Sequence, residues 1–280
     1  MFKTIRPLLA GAALLAGTAI PAIAADPYIP PPIEPPPPVV YEEPAKVSYG
    51  GWYIRGDIDY HWSKLRSTQY ITYGPPPGTA AFTTTDLRGT WSVGAGVGYQ
   101  ISKYLRTDWT LDYWAKSTFT GSTTGVCGGV PCVSVDSSAY QALLLLANAY
   151  VDLGTYHGIT PYVGAGIGGA YVWWDNLRNT VGGVTTVHAG ASNWRFAWAL
   201  MAGASYCVTD RMELDVGYRY TRIHGGRMFE YAPVVGPGFD SGFNVHEGRA
   251  GLRWHLGGQN NRCAPPPPPD IPPYTPPVYK

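Results

Sequence analysis

The sequence predicts an all-β chain: an eight-stranded antiparallel up-and-down transmembrane β-barrel over residues 51–257, with Pro-rich periplasmic N- and C-terminal extensions. Three observations predict it. Segments alternate apolar and polar residues with period two, their connections alternate long and very short, and Trp and Tyr gather at the segment ends. Successive side chains of a strand face opposite sides, so the alternation creates one apolar and one polar face. A soluble sandwich turns the apolar face inward and a membrane barrel turns it toward lipid. Loop parity separates the two, because outer-membrane barrels combine short periplasmic turns with long outer loops.

The first strand is placed at 51–63, where Trp52, Ile54, Gly56, Ile58 and Tyr60 alternate with Tyr53, Arg55, Asp57, Asp59 and His61. The second, 90–101, runs from Trp91 to Tyr99 with Gly94, Gly96 and Gly98 between them. The third, 105–118, sets Arg106, Asp108 and Asp112 on one face. The fourth, 139–153, holds the longest plain apolar run, Ala142 to Ala147, far below the 18 or so residues of a membrane helix. Gly164, Gly166 and Gly168 mark the fifth, 159–174, and Trp194 and Tyr206 bracket the sixth, 193–208. In the seventh, 211–224, Met212, Leu214, Val216 and Tyr218 alternate with Glu213, Asp215, Gly217 and Arg219. The eighth, 244–257, sets Ala250, Leu252, Trp254 and Leu256 against Arg249, Gly251, Arg253 and His255. The connections measure about 26, 3, 20, 5, 18, 2 and 19 residues, and each strand exceeds the roughly 9–11 residues needed to cross a bilayer at the usual tilt.

Composition agrees. There are 10 Trp, 21 Tyr and 35 Gly, and only 14% of residues are charged, against a typical quarter. An amphipathic ring is favoured at the headgroup level, so the strand-end aromatics read as two interfacial girdles. A formal net charge of +1 without a basic stripe argues against nucleic acid as a partner.

Lys3 and Arg6 precede an apolar stretch from Leu8 to Ile20 and a small-residue site at Ala22-Ile23-Ala24-Ala25, the pattern of a secretory signal over 1–24. Its apolar core is too short for a membrane anchor. Residues 25–50 then form a Pro-rich periplasmic arm and 258–280 a Pro-rich tail, neither apolar enough to pack. At about 3.1 Å per residue the arm reaches on the order of 60 Å. It serves either as a plain spacer or as a tether toward the cell wall.

Reading the polar faces inward places Arg55, Asp57, Asp59, Arg106, Asp108, Asp112, Arg195, Glu213, Asp215, Arg219, Glu247, Arg249 and Arg253 in the lumen. Desolvating a charge costs several kcal/mol unless it is paired, so near balance implies a mutual ion-pair network. Eight strands leave an interior just wide enough for side chains, which predicts a plugged lumen rather than an aqueous pore. The glycines at spacing two on strands two and five are expected to lie on neighbouring inward faces and to make room for arginine side chains. A phosphate loop would need a helix after them, and no helical pattern follows.

Cys127 and Cys132 bracket a short Gly-rich turn, which in an oxidising compartment favours a local disulfide. Cys207 and Cys263 fall at the same rim, where a bridge requires the tail to reach past the seventh strand. No His lies at ligand spacing from either pair, which disfavours a metal. The six His are scattered and no GxSxG or HExxH occurs. Asp59 and His61 share a face without a visible nucleophile, whereas His246 and Glu247 face opposite sides. No catalytic constellation, cofactor site or metal site is expected.

At this point the chain resembles a known family, the small eight-stranded outer-membrane β-barrels of alphaproteobacteria, the porin-like surface antigens. The resemblance covers Gly51 to Leu256. It rests on Gly51-Trp52-Tyr53-Ile54-Arg55-Gly56, on Trp91-Ser92-Val93-Gly94-Ala95-Gly96-Val97-Gly98-Tyr99, on Thr160-Pro161-Tyr162-Val163-Gly164-Ala165-Gly166-Ile167-Gly168, and on Leu214-Asp215-Val216-Gly217-Tyr218-Arg219-Tyr220. It implies abundant envelope proteins with structural and surface roles. It also implies, from Ala24-Ala25-Asp26, attachment to peptidoglycan through the new α-amine of Ala25. The chain departs from the family at its other end, where Trp254-His255-Leu256 is followed by the tail instead of closing on an aromatic residue.

The resulting expectation is an outer-membrane protein with both termini in the periplasm, supporting envelope integrity and tethered to peptidoglycan through its N-terminal arm. Its partners would be outer-membrane lipids, lipopolysaccharide and peptidoglycan. The alternatives are a narrow porin for small solutes and a surface-loop adhesion or interaction protein.

Overall fold

The computed structural model describes residues 51–72, 78–230, 235–257 and 262–263. The expected signal (1–24), the arm (25–50) with Ala25, and the tail apart from Arg262 and Cys263 lie outside the described residues.

All regular structure among the described residues is antiparallel strand: β1 (Gly51–Leu65), β2 (Thr68–Thr72), β3 (Gly78–Ala81), β4 (Thr84–Leu87), β5 (Thr90–Gln100), β6 (Leu105–Ser122), β7 (Thr124–Cys127), β8 (Val130–Val133), β9 (Val135–Asp152), β10 (Ile159–Trp174), β11 (Leu177–Val181), β12 (Val184–His188), β13 (Ser192–Thr209), β14 (Met212–Phe229) and β15 (Val235–His255). No helix among them is long and apolar enough to cross a membrane.

Eight long strands, β1, β5, β6, β9, β10, β13, β14 and β15, pair in that order, and β15 pairs back onto β1 to close the ring. They are the eight alternating segments, and closure leaves no free edge in the ring. Three of the very short connections follow β5, β9 and β13, at what is here called the short-turn rim. At the opposite, long-loop rim the strands run further than the alternation predicts, β6 to Ser122 and β14 to Phe229. The long connections are also structured: β2 pairs β3, β7 pairs β8, and β11 pairs β12. Segments such as Thr68-Gln69-Tyr70-Ile71 satisfy their backbone in ladders and set a single ring, that of Tyr70, against the interior, so they carry little period-two contrast.

Side chains sort as the alternation requires: Tyr53 is fully buried while Trp52 is 58% exposed. On the outer surface Trp52 meets Tyr99 edge-on at 5.3 Å, and Tyr60 meets Trp91 at 5.1 Å and Trp62 at 5.6 Å. The two groups sit eight to ten residues apart along β1, roughly 20–26 Å along the membrane normal at a tilt of about 40°. That matches an apolar band of about 25 Å flanked by aromatic girdles.

The interior is divided. Leu144 and Leu146 on β9, Ala170 and Val172 on β10, and Ala197, Ala199 and Met201 on β13 make one wall apolar. Most of the charges lie on the facing wall, on β14, β15, β1 and β6, with Arg195 on β13 and Asp152 on β9 outside it. Toward the long-loop rim an aromatic layer covers both, with Tyr140 stacked on Phe243 at 4.9 Å, Trp174 on Phe243 at 6.0 Å, and Phe119 edge-on to Trp174 at 5.7 Å.

The paired glycine stretches do not do what their spacing suggests. They sit on β5 and β10, which β6 and β9 separate, so they are not neighbours. Of the six, only Gly96 abuts an arginine, Arg55, whose Cγ would lie 3.1 Å from an added Cβ. Gly98 accommodates the Tyr53 ring, Gly164 the Tyr150 ring, Gly94 the Asp112 carboxylate and Gly166 the Asn148 amide. Bulk on the adjacent strand, rather than long cations from across the lumen, requires them.

Candidate functional site

The site is the filled lumen. Strand pairing places several opposite charges directly across a ladder: Arg219 against Glu247, Glu213 against Arg253, and Asp59 against Arg249. Such cross-strand pairs are close enough to bond without bending either strand. Arg219 donates from Nε to Glu247 Oε2 at 2.5 Å and from Nη2 to Oε1 at 2.9 Å, a bidentate clamp, while its Nη1 reaches Asp112 Oδ2 at 2.8 Å. Thr221 donates a further bond to Glu247. Arg249 binds Asp59 Oδ1 at 3.2 Å and lies 3.4 Å from Asp57 and 3.5 Å from Asp112. Arg55 holds Asp57 bidentately at 2.7 and 2.9 Å and reaches Asp108 at 3.1 Å. Arg253 bonds Glu213 at 2.5 Å and also Asp215. Charge-assisted bidentate pairs of this kind are the strong class of hydrogen bond.

Of the thirteen charged residues expected in the lumen, all are buried, with none above 8% exposure. They do not form a single network. Arg195 sits apart near the long-loop rim, with Nη1 2.8 Å from both oxygens of Asp240 and further bonds to Asn193 and the Arg227 carbonyl. Arg106 pairs with Asp152 at 3.0 Å, and its guanidinium lies over the Tyr150 and Tyr162 rings at 4.1 and 4.5 Å. With those two arginines engaged elsewhere, Arg55, Arg219, Arg249 and Arg253 serve Asp57, Asp59, Asp108, Asp112, Glu213, Asp215 and Glu247. The expected balance of cations and acids is therefore not met by arginine alone. Neutral donors make up the difference: Tyr53, Tyr150 and Asn148 bond Asp108, and Tyr162 donates to Asp215 at 2.6 Å.

Several contributors escaped the reading of the polar faces. Asp240 falls before the expected start of the eighth strand at 244, in what reads as a loop, whereas β15 begins at Val235. Asp152 shares its face with Asn148 and Tyr150, so the alternation carried its signal, diluted by the apolar run before it. Arg262, in the tail, reaches the same carboxylate at 2.6 Å, and nothing in a Pro-rich segment announces it. His61 is buried beside Trp114, ring centroids 4.6 Å apart, and directly opposite Glu247 in register; neither of its nitrogens has a hydrogen-bond partner.

Both cysteine pairs are bonded, Cys127 to Cys132 across the β7–β8 hairpin and Cys207 to Cys263 at the short-turn rim. The latter pair lies with Glu213 in a cluster of metal-ligand residue types, but disulfide sulfurs are not thiolate ligands and Arg253 already holds the carboxylate.

This lumen offers fixed, paired charges in a cross-section occupied by side chains, with Arg106 Nη1 and Nη2 and Arg253 Nε left without a hydrogen-bond partner. Comparison with known proteins agrees with the architecture. The family described as outer membrane protein beta-barrel domain matches residues 10–255. An uncharacterized protein of Brucella abortus is 37% identical over 252 residues, covering 78% of this chain and 89% of its own length. Outer membrane protein PagN of Salmonella typhimurium is 29% identical over 147 residues (50% and 60%), and a putative adhesin of Rickettsia canadensis 31% over 135 residues (47% and 58%). Among solved structures, OprG of Pseudomonas aeruginosa has 14% identity and a TM-score of 0.43, covering 74% of this chain and 97% of its own. Neisserial surface protein A has 19% identity and a TM-score of 0.36 over the same shares. The closed ring, its lipid-facing aromatic band and the match over most of the sequence together make this chain a member of the outer membrane protein β-barrel domain family.

Proposed function

We propose that the protein is a structural element of the outer membrane, a sealed barrel supporting envelope integrity, with the short turns and both termini in the periplasm. The observation that carries this reading is the lumen: Arg219, Arg249 and Arg55 span the ring from β14, β15 and β1 to carboxylates on β1, β6 and β15, all buried. Ions crossing such a section would have to displace paired charges that pack against one another. Planar-bilayer recording with purified protein tests it; stable single-channel steps in the wild-type protein would replace this reading with the narrow porin.

The tether belongs to the same proposal. A polyproline-rich arm from Ala25, covalently joined to peptidoglycan, would fix the distance from membrane to wall with no folded periplasmic domain. A second reading, surface interaction, is favoured by the hairpins beyond the barrel. Val126, Val130 and Val133 on β7–β8 and Val184 on β12 are each more than 60% exposed, and relatives in Rickettsia carry the name putative adhesin. Binding of whole cells to immobilised glycans or host proteins, with and without the 124–133 hairpin, separates that reading from the structural one.

A further inference from the structure

Above the aromatic layer, among the hairpins of the long-loop rim, lies a cavity of about 140 Å³. Its apolar lining is Tyr70 from β2, Phe82, Leu177 from β11 and Phe229 from β14. These side chains already contact one another edge-on: Tyr70 and Phe82 at 5.9 Å, Phe82 and Phe229 at 6.4 Å. Gly238 keeps the position of Phe229 possible, since an added Cβ would fall 2.1 Å from its ring. Thr123, Asn179 and His188 supply the polar part of the lining. Asn179 spends its amide on Asp136 at 2.5 Å, and Thr123 stands at the margin. His188 is different: it is 94% buried by its 6% exposure, faces Phe229 at 5.5 Å, and its Nδ1 has no hydrogen-bond partner.

We propose that this cavity binds a small single-ring aromatic molecule bearing one hydroxyl group, a phenol-class ligand, with the hydroxyl on His188 Nδ1. Size sets the ring count, because a cavity of about 150 Å³ lined by aliphatic and aromatic side chains takes one benzene. The surrounding rings favour an aromatic guest through edge-to-face contact. The hydroxyl follows from His188, since a buried ring nitrogen without a partner costs free energy that one hydrogen bond removes. Burial lowers the His188 pKa from its ordinary value against the pull of Asp136, so the ring is neutral at pH 7 with one donor and one acceptor nitrogen. A hydroxyl both donates and accepts, and so fits Nδ1 in either tautomer, which an ammonium group, donor only, or a ketone, acceptor only, does not.

The test uses full-length refolded barrel in detergent and 19F NMR of 4-fluorophenol, with 4-fluorotoluene as the matched ring lacking the hydroxyl. The expected result is a saturable bound resonance with 4-fluorophenol, weaker binding of 4-fluorotoluene by the order of tenfold that one net hydrogen bond confers, and loss of the resonance in Leu177→Trp, which fills the cavity. His188→Leu should abolish the preference for the hydroxyl while retaining ring binding. Thr123→Trp closes the margin independently, in case Leu177→Trp fails to give a heat-modifiable barrel. A bound signal that persists in the folded filled variants locates the ring in detergent and overturns the site. Equal affinity for the two probes in the wild-type protein overturns the role of His188, and no saturable signal overturns the proposal outright.

Discussion

Arg219 and Glu247 face each other directly across the β14–β15 ladder and are joined by two parallel hydrogen bonds, with both side chains fully enclosed. The same guanidinium carries the bond to Asp112 on β6, on a far part of the ring. Arg219→Ala therefore leaves Glu247 without an arginine partner and takes one of two from Asp112 and Asp59, which keep Arg249. Breaking a buried pair from one side costs about 3–5 kcal/mol. Urea unfolding followed by heat-modifiable gel migration should show a loss of that order, and an unchanged midpoint would mean that lumen water already shields the acids.

Glycine positions give a sharper contrast. An added Cβ at Gly168 would lie 2.0 Å from the Leu145 carbonyl oxygen, a backbone atom that cannot rotate away, whereas Gly248 on the lipid face has nothing within 4 Å. Gly168→Ala should impair assembly of the heat-modifiable form; Gly248→Ala should leave it intact. Equal yields from both variants would show that β9 and β10 tolerate local separation.

The two disulfides should differ in worth. Cys207–Cys263 spans 56 residues and Cys127–Cys132 spans 5. If the stabilisation is loop-closure entropy lost by the unfolded chain, these correspond to roughly 4 and roughly 2 kcal/mol. Paired Cys→Ser variants compared by denaturant unfolding check the order, and mass spectrometry of unreduced digests checks that both bonds exist.

Attachment to the wall predicts a chemical product. Detergent-boiled sacculi, digested with protease and muramidase, should release peptides that begin at Ala25 and are joined to a muropeptide. Recovery of the whole mature N-terminus as a free amine would refute the tether while leaving the sealed barrel untouched.

What the sequence disclosed and withheld follows from where the contrast between faces was strong. Arg55, Asp57 and Asp59 stand against Ile54, Gly56 and Ile58, so β1 was legible residue by residue, as were β14 and the second half of β15. On β9 the contrast vanishes, because Leu144 and Leu146 fill the apolar wall of the lumen while Leu143 and Leu145 belong to the other face. Inside and outside then share one chemistry, and the division of the lumen into a charged and an apolar wall could not be read. The hairpins at the long-loop rim were missed because Thr-rich strands have no oily face to advertise. Pairing choices were missed for another reason: a list of inward charges fixes which groups must be neutralised, not which neighbour does it, and the partners of Arg195 and Arg106, Asp240 and Asp152, were not on that list.

The bond between Cys207 and Cys263 joins the end of β13 to the stretch after β15, with β14 held between. It closes a covalent macrocycle from Cys207 to Cys263 that contains β14 and β15. A protease that nicked the turn between Thr209 and Met212 would cut that ring once and leave every strand still attached to its neighbours through the sulfur bridge. The barrel would survive as one molecule until a reductant reached the rim.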